Sequence, residues 1–246
     1  MEHEFPQPFA QQYDTLLKRM ALRGLSPKTV ALYSHGVRRA AGYFGFEMDD
    51  LSREQLTEYL SWLLAKWSWS TLKHDMYGLQ FYYQHVLGKP WPGMGLVKPP
   101  KTSRLPDIVT VAQMRRIVAS TRVLSYRVFF FTLYSMGLRL GEGLRLRVED
   151  IDADRMQVHI RNAKGNRDRL VPLPVNTLNV LRRFWAVHRH PNWLFPSRYN
   201  GLKCVHKATN HMDEGGVQLA LRRVVADIGL KKVLAHTACA TAMPRI

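Results

Sequence analysis

Met136-Gly137-Leu138-Arg139-Leu140-Gly141-Glu142 ends an apolar helical run and sets an arginine at the break. Gly137 stops the helix, because glycine tolerates the left-handed backbone that terminates one. Arg139 therefore stands at a helix junction between two leucines, not on a helix face. A guanidinium held in such a place makes bidentate bonds to a carboxylate or a phosphate. Glu142 either orients it for an anion or forms a structural ion pair with it.

The next informative stretch is Lys164-Gly165-Asn166-Arg167-Asp168-Arg169-Leu170-Val171-Pro172-Leu173. Residues 156–160 alternate as a strand does and residues 168–173 supply its antiparallel partner, which makes residues 161–167 a basic hairpin tip. A mobile ammonium on a β-turn can give a proton to a leaving oxygen, although most tip lysines are simply solvated. Around the hairpin, Thr110 and Gln113 form a capping-box pattern for a helix over residues 111–121. Further helices are expected over residues 125–136, 140–146, 175–187 and 214–227, with Asp150-Ile151-Asp152 as a turn.

The N-terminal part is helical throughout. Apolar residues recur at helical spacing over residues 8–23, with Gly24 as the stop. Ser26-Pro27 caps and starts a helix to about residue 44. Ser52 and Gln55 open a third to about residue 65, and a fourth spans residues 70–86. Four short helices with short loops predict a compact bundle. Residues 88–106 hold Pro90, Pro92, Pro99, Pro100 and Pro106 with Lys89, Lys98, Lys101 and Arg104. Proline removes donors and opposes helix, so this reads as an extended basic linker. The domain plan is residues 1–88, a linker at 89–106, and residues 107–246.

Composition narrows the function. Apolar residues at 46% with 22% charged indicate a folded chain. Lys and Arg number 36 against 19 Asp and Glu, a net charge of +17 spread along the chain. That balance favours a polyanion partner, since phosphate contacts release counterions. Two cysteines, Cys204 and Cys239, make no disulfide framework and have no metal-ligand spacing. His188, His190 and His211 lack ligand geometry as well. No metal or cofactor is expected. The start, Met1-Glu2-His3-Glu4, is no signal peptide and no apolar run suits a membrane span, so a reducing cytoplasm is the default expectation.

Taken in order, these segments resemble the tyrosine recombinase (phage integrase) family. Gly137-Leu138-Arg139-Leu140-Gly141-Glu142 matches its first arginine box, and Glu149-Asp150-Ile151-Asp152 the continuation. Residues 164–173 match its Lys-Gly hairpin and Trp193-Leu194-Phe195-Pro196-Ser197 its Leu-Phe-Pro element. Leu25-Ser26-Pro27-Lys28-Thr29 with Tyr33 matches the opening of its core-binding domain. The resemblance implies a mainly α, two-domain fold. It pairs a helical SAM-like core-binding bundle with a mixed α/β catalytic domain carrying a small antiparallel sheet. It also implies a clamp on double-stranded DNA, with intact relatives assembling as tetramers on two DNA sites. In that family two arginines, a lysine and histidines surround a phosphate that a C-terminal tyrosine attacks, without metal. By that likeness Arg139 is the first catalytic arginine, Lys164 the general acid and Glu142 its support. Lys28, Thr29, Lys66, Ser70, Thr71, Lys73 and Arg167 are candidate DNA contacts near helix ends and the hairpin.

The family then needs a His-x-x-Arg-His series and the tyrosine. Residues 233–246 carry neither, and Tyr199 is the last tyrosine. A second reading frame offers the missing series. It takes the third base of each codon with the first two of the next. Across His236 to Ile246 that frame can encode His-Ser-Leu-Arg-His-Ser-Tyr-Ala-Thr-His, with the Ala forced by Met243-Pro244. A frameshift after about Lys232 is the expectation, leaving a catalytic domain incomplete at its C-terminus, monomeric and without cleavage activity. Three readings follow: a DNA-binding remnant, a non-catalytic competitor at recombination sites, or a poorly folding product. Val217, Leu221 and Val224 are expected to be exposed by the loss of their packing partners.

Overall fold

The computed structural model describes residues 5–93, 95–98, 109–163, 167–198 and 202–230. The chain divides into two units, residues 1–102 and 103–246.

The first unit contains α1 (Phe9–Leu22), α2 (Pro27–Tyr43), α3 (Arg53–Lys66) and α4 (Trp69–Tyr82), with a π turn over Tyr83–Leu87. Local chemistry sets most of the starts. The Ser26 hydroxyl accepts from the Thr29 N–H, with Pro27 in the first turn. Ser52 and Gln55 cap each other's backbone reciprocally. The fourth helix begins earlier than its sequence suggests. Ser68 caps it, accepting from the Thr71 N–H. Its α-helical part ends at Tyr82, and Gly88 closes the π turn at φ 69°.

Leu16, Met20, Val37, Ala41, Leu56, Leu63 and Leu79 fill the core of this unit. Gly36 lies against Asp75, and Gly78 against the Tyr33 carbonyl, with no room for a side chain at either. The two contacts run in opposite senses along α2 and α4, so the helix N-termini sit at opposite ends of the pair. Beside the crossing, Asp75 is buried. It accepts from Arg39 Nη1 at 2.9 and 2.8 Å and from the Tyr59 hydroxyl at 2.9 Å. The segment read as a linker starts by packing onto this core. Trp91 is buried edge-on to Tyr83, Leu96 and Val97 pack alongside, and Lys89 Nζ donates to the Asp49 carbonyl and to Asp50. An indole is too large an apolar surface to leave in water.

The second unit contains α5 (Val111–Ser120), α6 (Leu124–Met136) and α7 (Leu140–Leu144). After a 3-10 turn at Val148–Asp150 come β1 (Ile151–Asp152), β2 (Gln157–Ala163) and β3 (Arg167–Pro172). A second 3-10 segment, Leu202–Lys207, separates α8 (Val175–His188) from α9 (Glu214–Asp227). The sheet is antiparallel in the order β1-β2-β3, with Val158 opposite Val171 and Ile160 opposite Arg169. Fold class therefore stands as expected, mainly helical with one small antiparallel sheet.

Three local expectations are corrected. Asp150-Ile151-Asp152 is not a turn alone: Ile151 and Asp152 pair with Val158 and Gln157 as a third strand. Arg161 to Ala163 and Arg167 belong to the strand arms, with an irregularity between Ile160 and Ala163 and Asn162 at φ 48°. Val217 and Val224 are not exposed. Both belong to the buried core, where α9 meets α5 and α7, and Leu221 packs against it.

Candidate functional site

The site grows out of the end of α6. Gly137 takes φ 61° and the helix stops there, a conformation that a β-carbon would strain. Leu138 turns fully into the core, which fixes the backbone on which Arg139 stands. Glu142 folds back from the first turn of α7, and its Oε2 accepts from the Arg139 N–H at 2.8 Å. Its Oε1 accepts from Arg139 Nη1 at 2.7 Å. A third donor comes from the sheet, as Arg169 Nη2 donates to Glu142 Oε2 at 2.9 Å.

Exposure separates the partners. The Glu142 side chain is 2% exposed, whereas those of Arg139 and Arg169 are 49% and 39% exposed. Burial raises the Glu142 pKa, but bonds from the Arg139 backbone and from both guanidiniums outweigh it, and the net direction is down. Glu142 is therefore an anion at neutral pH, locked by two cations that both reach solvent. The Arg169 Nε is buried with no hydrogen-bond partner among the described residues.

Carboxylates also shape the arms of the hairpin. Asp168 accepts from the Asn162 N–H at 2.9 Å and bonds His159 Nε2 at 2.8 Å. The Asn162 N–H, and then His159 and Arg161, hold the Asp168 carboxyl below its usual range. Arg161 Nε donates to buried Asp150 at 2.6 Å, and Asp150 also accepts from the Arg147 N–H. Lys164 and its two followers lie outside the described residues, as does Tyr199. Arg167 is exposed at the start of β3.

The candidate DNA contacts of the first unit fall in two places. Lys66, Ser70, Thr71 and Lys73 gather around the α3–α4 junction, where Lys66 Nζ lies 4.6 Å from the Trp62 ring and Arg39 lies over Trp67. Lys28 and Thr29 sit at the start of α2, the other end of the α2–α4 pair.

Sequence reading missed Arg169. Its signal was present: alternation along β3 puts it on the same face as buried Val171, where a guanidinium needs an acid. The histidines at the end of α8 hold backbone. His190 Nδ1 accepts from the Asn192 and Trp193 N–H groups, and its Nε2 bonds the Ala208 carbonyl. Buried His188 accepts from the His190 N–H, and burial lowers its pKa to about 4. No helix among the described residues is long and apolar enough to cross a membrane.

Comparison with known proteins follows the same division. Residues 107–244 match the phage integrase family and residues 13–93 match the phage integrase N-terminal SAM-like domain. An integrase/recombinase of Escherichia coli is 33% identical over 173 residues, covering 69% of this chain and 51% of that protein. A tyrosine recombinase of Thermococcus kodakarensis is 29% identical over 188 residues, covering 73% and 62%. A Sinorhizobium fredii homologue in the integrase/recombinase group is 31% identical over 180 residues, and the chain spans 58% of its length. Among solved structures, a lambda integrase tetramer bound to a Holliday junction superposes with TM-score 0.71 at 13% identity. That match covers 98% of this chain and 76% of the other and speaks for the fold. The Tn1549 transposon integrase gives 0.65 at 16% identity, covering 94% and 84%.

Proposed function

The chain belongs to the phage integrase family, and from that premise we propose that residues 1–246 bind double-stranded DNA through phosphate contacts but do not by themselves cut it. The observation that carries the reading is the Arg139–Glu142–Arg169 group, a buried anion holding two guanidiniums half open to solvent. Such a group presents preorganised donors to a phosphate oxygen without further rearrangement. The net charge of +17 supplies the general attraction. Both units contribute contacts, from Lys28, Thr29, Lys66, Ser70, Thr71 and Lys73 in one and from Arg139, Lys164 and Arg167 in the other.

Strand cleavage needs more than this. A tyrosine has to attack, and further cations have to offset the charge of the pentacoordinate phosphate. Residues 233–246 stand where the family's second arginine box belongs and contain no tyrosine, and their one arginine, Arg245, lacks the His-x-x-Arg-His setting. The same stretch read in the neighbouring frame can spell that box, which supports a frameshift after about Lys232. The chain then acts as a monomer that occupies a recombination site and competes with an intact relative there.

The test is incubation of the 246-residue chain with nicked duplexes that trap covalent intermediates, resolved on a denaturing gel, beside binding titrations at several salt concentrations. Salt-sensitive binding without a protein–DNA adduct is the expected result. A covalent adduct overturns the reading, and so does a soluble monomer that binds no DNA. Sequencing the gene across residues 230–246 checks the frameshift, which codons incompatible with the second frame would exclude.

A further inference from the structure

Arg139 alone cannot give its site a positive charge. Its guanidinium lies 2.7 Å from a carboxylate that is 2% exposed and held in the anionic form. Taken as a pair, Arg139 and Glu142 sum to zero, and a phosphate approaching Arg139 meets the field of Glu142 just behind it. Screening by water is weak at a buried carboxylate, so this opposition is not small. Arg169 changes the sum. It donates to the same carboxylate from the opposite element at 2.9 Å, and the group of three carries one net positive charge.

We propose that Arg169 is a positioning residue for the phosphate grip, acting as the counter-charge that cancels Glu142 and leaves the field of Arg139 available to DNA. Three observations point the same way. Arg169 sits on the face of β3 that also carries buried Val171, opposite Ile160, which aims its partly exposed guanidinium at Glu142 and not away from the domain. Glu142 Oε2 takes both the Arg139 N–H and the Arg169 guanidinium, so the second arginine also fixes the carboxylate that orients the first. The Arg169 Nε has no partner among the described residues, so the side chain is placed for its bond to Glu142 at the expense of its own hydrogen bonding.

This inference rests on the reading that Arg139 meets a DNA phosphate, and the experiment separates the two. Fluorescence anisotropy of a labelled duplex is titrated with the wild-type chain and with Arg139→Met, Arg169→Met, Arg169→Lys and the double variant Arg169→Met/Glu142→Gln. Thermal unfolding is recorded for each. Arg169→Met is expected to weaken binding about five- to tenfold and to lower the salt slope by about one, nearly as much as Arg139→Met. Arg169→Lys keeps the charge and retains most of the affinity. The decisive variant is the double one: removing the charge of Glu142 restores binding to within about twofold of wild type. If Arg139→Met binds as wild type, the underlying reading fails. If Arg139→Met weakens binding while Arg169→Met does not, the counter-charge role fails. It fails equally if the Glu142→Gln change does not restore binding to a double variant that unfolds at the temperature of Arg169→Met.

Discussion

Both units of this molecule bury carboxylates against arginine, and two of these groups, at Asp75 in the first and Glu142 in the second, differ in charge. Asp75 in the first unit faces one guanidinium, Arg39, and one hydroxyl, Tyr59, and the group is neutral. Burial dominates there and raises the Asp75 pKa despite Arg39. Glu142 in the second unit faces two guanidiniums and a backbone N–H, and its pKa is lowered. A neutral pair between close-packed helices is a lock. A group with a surplus cation, half open to solvent, suits the phosphate grip proposed for it. The difference lies in the second arginine, which comes from a strand in one case and has no counterpart bonded to Asp75 among the described residues in the other.

The largest expected effect lies in the lock. Arg39→Met strands the Asp75 carboxylate beneath α2 and should lower stability by about 3–5 kcal/mol, read as a shift in the denaturant midpoint. Asp75→Asn should cost less, because Arg39 is partly exposed and can turn to water.

Acidity should sharpen the contrast, because the two carboxylates respond with opposite sign. The folded pKa of Glu142 lies below its unfolded value, so its contribution is present above the ordinary glutamate range and is lost as pH falls. That of Asp75 lies above, so stability declines as pH rises from the ordinary aspartate value through the folded one. Unfolding titrations of Glu142→Gln and Asp75→Asn against wild type should therefore diverge in opposite directions across the acid range. His188 adds a slope of its own. Its folded pKa of about 4 lies below the unfolded 6.5, so stability should fall as pH drops between the two, and His188→Phe should flatten that part of the curve.

The smallest effects belong to the exposed cations. Lys66→Ala and Lys73→Ala should each change stability by less than about 0.5 kcal/mol. Each should also weaken DNA binding to a similar degree for every sequence tested, as lost phosphate contacts do.

Much of this architecture was legible beforehand, wherever a signal is local. Ser26-Pro27, Ser52 with Gln55 and Thr110 with Gln113 mark helix starts through bonds spanning three residues, and the structure contains all of them. Arg139 and Glu142 share one turn, so their pairing was foreseeable. What escaped is non-local or short. Arg39 meets Asp75 only because two glycines let α2 and α4 approach. Arg169 reaches Glu142 across the chain from sheet to helix. Ile151–Asp152 is too short to show an alternating pattern. The start of α4 at Trp69, capped by Ser68, lies one residue before the expected one, because its cap is a lone serine with no capping-box partner.

The contrast between lock and grip can be tested with the two matched variants, Arg39→Met and Arg139→Met, each followed by DNA affinity against salt concentration at a temperature where both are folded. The account predicts that Arg139→Met lowers the slope of log affinity on log salt by about one while Arg39→Met leaves it unchanged. Equal slopes for wild type and Arg139→Met, or a loss of slope in Arg39→Met alone, would contradict it.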